Sequence, residues 1–238
     1  MNSKHGNEQW WIGGLVVSLM IATSLGAFSA HAQDGDGGQE PWMAQAMSPT
    51  LKHYYLAKAI RSGHHRLRFD VVELGTKFAF DEAPVDENGF PGYGNPFITQ
   101  GVIYPPGVIE ADADGNTNGV IVETDADGRT IARPEFPELV LGIWICRGTV
   151  FADEGFNIES GPTVHSTQLY DFTNVGGDFG RISLESSGLE LIDLNKQIAR
   201  AVTGGTGPFK RSRGEMRQTF IGINASEGFS LRFESRLR

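Results

Sequence analysis

The sequence predicts an all-β protein, an antiparallel barrel or sandwich. Three observations carry this. Glycine is abundant, at 31 of 238 residues, which is about twice the usual share of about 7 %. From Arg66 the apolar residues Leu67, Phe69 and Val71 alternate with Arg66, Arg68 and Asp70, the period-2 pattern of a strand with one face inside. Beyond it many apolar segments are joined by Gly- and Asp-rich turns. Hydrophobic residues make up 39 % of the chain, which excludes a wholly disordered polypeptide. A net charge of −9 argues against indiscriminate binding to nucleic acid or acidic membrane. The one cysteine, Cys146, excludes an intrachain disulfide framework and a Cys-cluster zinc site.

The chain opens as an address. Lys4 precedes the apolar stretch from Trp10 to Phe28, and Ala30-His31-Ala32 follows. A charged start, an apolar core and small residues at −3 and −1 describe a secretory signal peptide over 1–32, cleaved after Ala32. An uncleaved membrane anchor is the alternative, because the apolar run is nearly of spanning length. The mature protein would be secreted or periplasmic, with no stable membrane insertion once the signal is removed. An outer-membrane barrel fits less well, since several strands are shorter than about ten alternating residues.

Residues 33–65 read as a flexible leader and a short helix. The leader, 33–47, is polar and Gly-rich. Ser48-Pro49 caps a helix to about Ile60, and Gly63 ends it. The β domain then covers 66–238. After the first strand, Ala83 to Pro96 is dense in Pro and Gly and is loop. Phe97 to Tyr104 is the next strand. Val108 to Ala111 and Val120 to Thr124 flank a hairpin turn over Asp112 to Gly119, and a second turn spans Asp125 to Gly128. Strands follow over Leu139 to Val150, Thr163 to Thr173, Arg181 to Glu185, Leu189 to Leu194, Ala199 to Thr203, Gly214 to Asn224 and Phe229 to Leu237.

Several constellations invite chemistry. Gly204-Gly205-Thr206-Gly207 lacks the Lys-Ser/Thr of a phosphate loop, and Pro208 follows it, so it reads as a structural turn. Asp112, Asp114, Asn116, Asn118 and Glu123 have EF-hand-like spacing, but Thr117 stands where that loop needs glycine. Asp and Asn also suit plain turns. His53, His64, His65 and His165 are not spaced as paired metal ligands, and no metal is expected. There is no Gly-x-Ser-x-Gly nucleophile elbow. Residues 210–238 carry seven Lys/Arg against three Glu, an asymmetry that suits an anionic ligand, a complementary subunit face or simply solvated outward residues. Few aromatics interleave these charges, so a nucleic-acid platform is not expected.

The C-terminal half resembles the allene oxide cyclase/dirigent-like β-barrel superfamily, in the manner of a bacterial-type secreted member. The pieces are Gly177-Asp178-Phe179-Gly180-Arg181-Ile182-Ser183, then Ala201-Val202-Thr203-Gly204-Gly205-Thr206-Gly207, then Phe209 and Arg213-Gly214-Glu215. Pro96-Phe97, Ile103-Tyr104 and Gly142-Ile143-Trp144-Ile145-Cys146 fall in family-like order upstream. The resemblance implies an eight-stranded antiparallel barrel, often trimeric, with an apolar lumen. It places Asp70 where the family has a first-strand glutamate and Cys146 where it has a luminal cysteine. Thr99 or Gln100 falls near a family asparagine, Val72 replaces another, and the luminal tyrosine has no clear equivalent near Gly188.

The expected function follows from that barrel. The protein binds a small hydrophobic molecule in its lumen and guides a cyclisation or coupling by shape, without a cofactor. A cyclase or isomerase with a luminal carboxylate as acid or base is the first alternative, and a non-enzymatic scaffold the second. The candidate catalytic residues are Asp70 and Cys146. The candidate ligand-binding residues are Thr99, Gln100, Tyr104 and Trp144. Gly204, Gly205, Thr206, Gly207, Arg213 and Gly214 are expected to shape a turn, with Arg213 bonding turn carbonyls or a carboxylate. Asp70 could equally pair with Arg66 or Arg68, or lie on the outer face. Cys146 could equally be a small core residue.

Overall fold

The computed structural model describes residues 48, 66–85, 91–152, 163–173, 181–191 and 193–238. The expected signal peptide, leader and N-terminal helix lie outside the described residues, apart from Ser48. So does most of the Gly177 to Ser183 motif.

Eight strands close into an antiparallel barrel. They are β1 (Arg68–Glu73), β3 (Pro96–Tyr104), β7 (Gly142–Ala152), β8 (Thr163–Asp171), β9 (Ser183–Glu190), β10 (Gln197–Gly205), β11 (Gly214–Asn224) and β12 (Phe229–Leu237). Each pairs with the next along the chain, and β1 completes the ring by pairing with both β12 and β3. Closure removes the unpaired edges of an open sheet. Where β1 meets β3, a side chain on Gly101 would lie 2.1 Å from the Val72 carbonyl oxygen. Only glycine lets the two backbones approach this closely.

The shorter strands lie outside the ring. β2 (Ala79–Phe80) pairs with β3. Between β3 and β7 the chain leaves the barrel and builds an outer lobe. It contains β4 (Asn116–Thr117), β5 (Val120–Thr124) and β6 (Thr130–Pro134). The lobe covers the outer face of β1 and β3 with its own apolar cluster, including Val72, Val102, Tyr104, Ile109, Val120 and Val140.

Two expectations are corrected by the structure. Val108 to Ala111 is not a strand, and Asp112 to Gly119 is not a hairpin joining it to β5. Instead β5 pairs with β6 through the Asp125 to Gly128 turn. The Asp112 carboxylate closes its own loop by accepting from the Asp114 and Asn116 backbone N–H groups at 2.9 Å. Side-chain bonding of this kind competes with a ladder. Likewise, Arg181 to Glu185 and Leu189 to Leu194 are not two strands. Ser183–Glu190 is one continuous strand. The small polar residues at its centre mimic a break in sequence, but Ser186 points into the barrel and bonds a buried arginine.

Among the described residues no helix is long and apolar enough to cross a membrane.

Candidate functional site

Alternation along each barrel strand sends one set of side chains inward. At the end where β1 begins and β12 ends, that set is apolar. Phe69, Phe172, Leu184, Val202, Phe209, Met216, Phe233 and Leu237 are buried together. The Phe69 ring lies 5.0 Å from Tyr170, 5.6 Å from Phe172 and 5.2 Å from Phe233. These distances suit edge-on and offset aromatic packing.

Toward the other end the inward positions become polar. Thr99 pairs with Cys146, Cys146 with Gln168, and Gln168 with Ser186 across β3, β7, β8 and β9. The next inward set along the same strands is Phe97, Gly148, Ser166 and Gly188. Gly188 lies against Arg200 on β10, where an added Cβ would sit 3.2 Å from the arginine Cα.

One guanidinium and two carboxyl groups lie among these described residues. Arg200 has no solvent-exposed side-chain surface, and Glu190 keeps only 13 %. Arg200 Nη1 donates to the Glu190 carboxylate at 3.0 Å and to the Leu189 carbonyl at 3.4 Å. Its Nε donates to Ser186 Oγ at 3.2 Å, and its Nη2 to Ser166 O at 3.0 Å and Ser166 Oγ at 2.8 Å. All five guanidinium N–H groups are thereby engaged. Glu190 also accepts from Ser166 Oγ, Gln168 Nε2 and, at 3.5 Å, Cys146 Sγ. Gln168 extends the network to Gln218 at 3.1 Å and to the Tyr170 hydroxyl at 2.5 Å.

Glu73, at the end of β1, is buried and is the second carboxyl of this interior. Thr99 Oγ1 donates to its Oε1 at 2.5 Å and the Phe229 backbone N–H to its Oε2 at 3.0 Å. No cation pairs with it among the described residues. Burial pushes its pKa above the usual carboxylate range; the two hydrogen bonds offset part of that, and the nearby Glu190 adds to the rise. Burial likewise pushes the Cys146 thiol up, with Glu190 adding and Arg200 opposing. The Tyr170 hydroxyl is raised for the same first reason. Trp144 is buried beside these groups, and its Nε1 has no partner among the described residues.

This arrangement is not the cheapest way to fill a barrel. A buried ion pair of similar volume to apolar residues is often neutral or worse for stability. An uncompensated carboxyl beside it marks a candidate functional site. Chemically the interior offers a carboxyl poised as proton donor, an acceptor carboxylate fixed by arginine, a thiol and an indole N–H.

The six candidate residues divide between two faces. Thr99, Trp144 and Cys146 are interior, and Thr99 and Cys146 are cross-strand neighbours. Asp70, Gln100 and Tyr104 are on the outer face. Asp70 is fully buried under the lobe. It accepts from Arg232 Nε at 2.8 Å, from Arg232 Nη2 at 3.1 Å, and from the Gly107 and Ile109 N–H groups at 2.7 and 3.3 Å. It therefore does not meet Cys146. Gln100 shares its face with exposed Ile98. The Tyr104 hydroxyl donates to Gly119 O at 3.0 Å, and burial raises its pKa. Of the turn residues, Gly204 and Gly205 end β10 beside a bulge after Val202. Gly207 and Gly214 adopt φ of 55° and 142°, conformations that glycine tolerates. Arg213 Nη1 donates to the Ser212 carbonyl at 2.9 Å.

Sequence reasoning missed Glu73, Glu190 and Arg200. The signal was present. Glu73 has the parity of Leu67, Phe69 and Val71, and Arg200 has that of Val202.

No protein-family model matches the chain, and no curated protein matches it. Among solved structures the chain is similar to a pyocyanin demethylase, at 13 % identity and TM-score 0.43, over 73 % of this chain and 99 % of that one. It is similar to a pterocarpan synthase dirigent protein at 16 % identity and TM-score 0.47, over 72 % and 92 %. A nonspecific heme-binding cyclase of neoabyssomicin biosynthesis is similar at 10 % identity and TM-score 0.39, over 83 % and 77 %.

Proposed function

We propose that the barrel interior binds a small, largely apolar molecule and promotes its cyclisation or isomerisation by acid–base catalysis. The observation that supports this is Glu73, a carboxyl buried with no cation paired to it among the described residues, in the same interior as the Arg200–Glu190 pair. Its raised pKa suits proton exchange with a bound molecule. Thr99 orients it through Oε1. Cys146 and Glu190 complete the polar side, and the aromatic side chains supply shape that holds a reactive molecule near its product geometry. The proposal includes export after cleavage at Ala32 and self-association as a trimer. An intact mass beginning at Gln33 and a trimeric mass by light scattering are the expected results.

Native mass spectrometry of the protein purified from its own source tests the binding reading. One retained organic molecule per subunit is expected. That molecule, or its precursor, is then offered to the wild type and to Glu73→Gln. Turnover lost in a folded Glu73→Gln protein supports the catalytic role, and unchanged turnover overturns it. Repeated recovery of bare subunits favours a scaffold.

A further inference from the structure

Among the described residues, two carboxyl groups, Glu73 and Glu190, share the interior with one guanidinium, that of Arg200. The guanidinium is spent: every N–H of Arg200 already donates to Ser186, Leu189, Glu190 or Ser166. An anionic ligand therefore finds no free cationic donor there among the described residues. Glu73 is in the opposite position. Among the described residues its oxygens accept only from the Thr99 hydroxyl and the Phe229 N–H, so each keeps acceptor capacity. The strands around it bring further polar groups. β7 supplies Cys146, β8 Gln168 and Tyr170, β9 Glu190, β10 Arg200, and β11 Asn224, whose Nδ2 donates to the Glu73 carbonyl at 2.8 Å. The charged members are Glu190 and Arg200, and they cancel each other. Phe229 belongs to this interior face with Phe220, their rings 5.3 Å apart and edge-on, and Phe97 packs on the same core. Aromatic faces attract cations.

Resting on the binding reading above, we infer that the ligand of the barrel is an organic cation, a ring system bearing one positive charge that the Glu73 carboxylate takes up. The exchange balances. The carboxyl gives its proton to solvent as the cation enters, so the charge of the interior is the same before and after. A neutral molecule of the same shape gains the apolar contacts alone, and an anion meets Glu190 with no compensating donor.

Isothermal titration calorimetry with three probes of one shape tests this: 1-methylquinolinium, 1-methylnaphthalene and 1-naphthoate. The cation is expected to bind about tenfold tighter than the neutral probe, and the anion more weakly than either. In two buffers of different ionisation enthalpy, cation binding should release up to one proton per site, falling toward none as the pH rises. Glu73→Gln should abolish the cation's advantage. A neutral or anionic probe binding tightest overturns the inference while leaving the binding reading intact. So does cation binding with no proton release at any pH, a measurement on the wild type that stands even if Glu73→Gln fails to fold. Failure of all three probes overturns the inference alone if a ligand is retained in native mass spectrometry, and both readings if none is.

Discussion

Arg200 donates to Glu190 across 3.0 Å with none of its own side chain in contact with solvent. Removing either partner leaves the other buried and uncompensated. Arg200→Met is therefore expected to cost about 3–5 kcal/mol. The double variant Arg200→Met/Glu190→Leu should recover much of that loss, because paired apolar residues replace a buried ion pair at little cost. Urea denaturation of the three proteins checks both statements. A single variant as stable as the wild type would show that the pair is solvated in solution.

Glu73 makes stability depend on pH. Its folded pKa lies above the ordinary 4.5, chiefly through burial. Below the ordinary value the carboxyl is protonated in both folded and unfolded chains, and the fold bears no penalty. As the pH rises through the folded value, the unfolded chain ionises first and stability falls. Glu73→Gln cannot ionise. Its stability relative to the wild type should rise across that window and then level off. Melting temperatures measured from pH 4 upward in parallel for both proteins give the comparison, and parallel curves would contradict it.

Asp70 gives the contrasting result. Its carboxylate ties the 107–109 segment and Arg232 to the outer face of β1. Asp70→Asn should cost about 1–3 kcal/mol, since a buried acceptor array loses charge and geometry. Ligand binding in the interior should survive. Thermal unfolding and a binding titration on the same sample separate the two effects. Lost binding in a stable, folded Asp70→Asn protein would connect the lobe to the interior.

Cys146 should be nearly inert in the native state. It is 1 % exposed, and its thiol is held protonated by burial. Thiolate is the reactive form. A thiol-reactive disulfide reagent should label it slowly in buffer and at once in urea. Immediate labelling of the native protein would mean that the interior opens readily.

The β character, the long C-terminal strands and the alternation of β1 were legible in the sequence because period-2 patterning is local. Gly214–Asn224 and Phe229–Leu237 match their expected ranges. The interior was harder to read. Asp70 attracted notice through a family resemblance, yet alternation from Phe69 and Val71 already assigned the inside to Glu73. Glu190 and Arg200 lie ten residues apart on separate strands, and no local spacing marks them as partners. Their pairing depends on β9 being one strand, and Ser186-Ser187-Gly188 disguised its continuity. The lobe was misread for a similar reason. Asp112 and Asp125 both close turns, but the first joins segments that meet in a single bridge, Ala111 to Thr117, and only the second joins two full strands.

The closure between β1 and its two neighbours sets an order of events for the growing chain. Leu67 N–H donates to Ser235 Oγ, a partner 168 residues away. Until β12 has been synthesised, β1 has one free edge, and that edge is a template for pairing with other chains. The last strand is thus the latch of the ring. A polypeptide cut short before Phe229 should accumulate as aggregate, and one stalled on the ribosome should resist completion of its native sheet until the C-terminal segment is released. Such dependence on distant contacts also makes for slow folding.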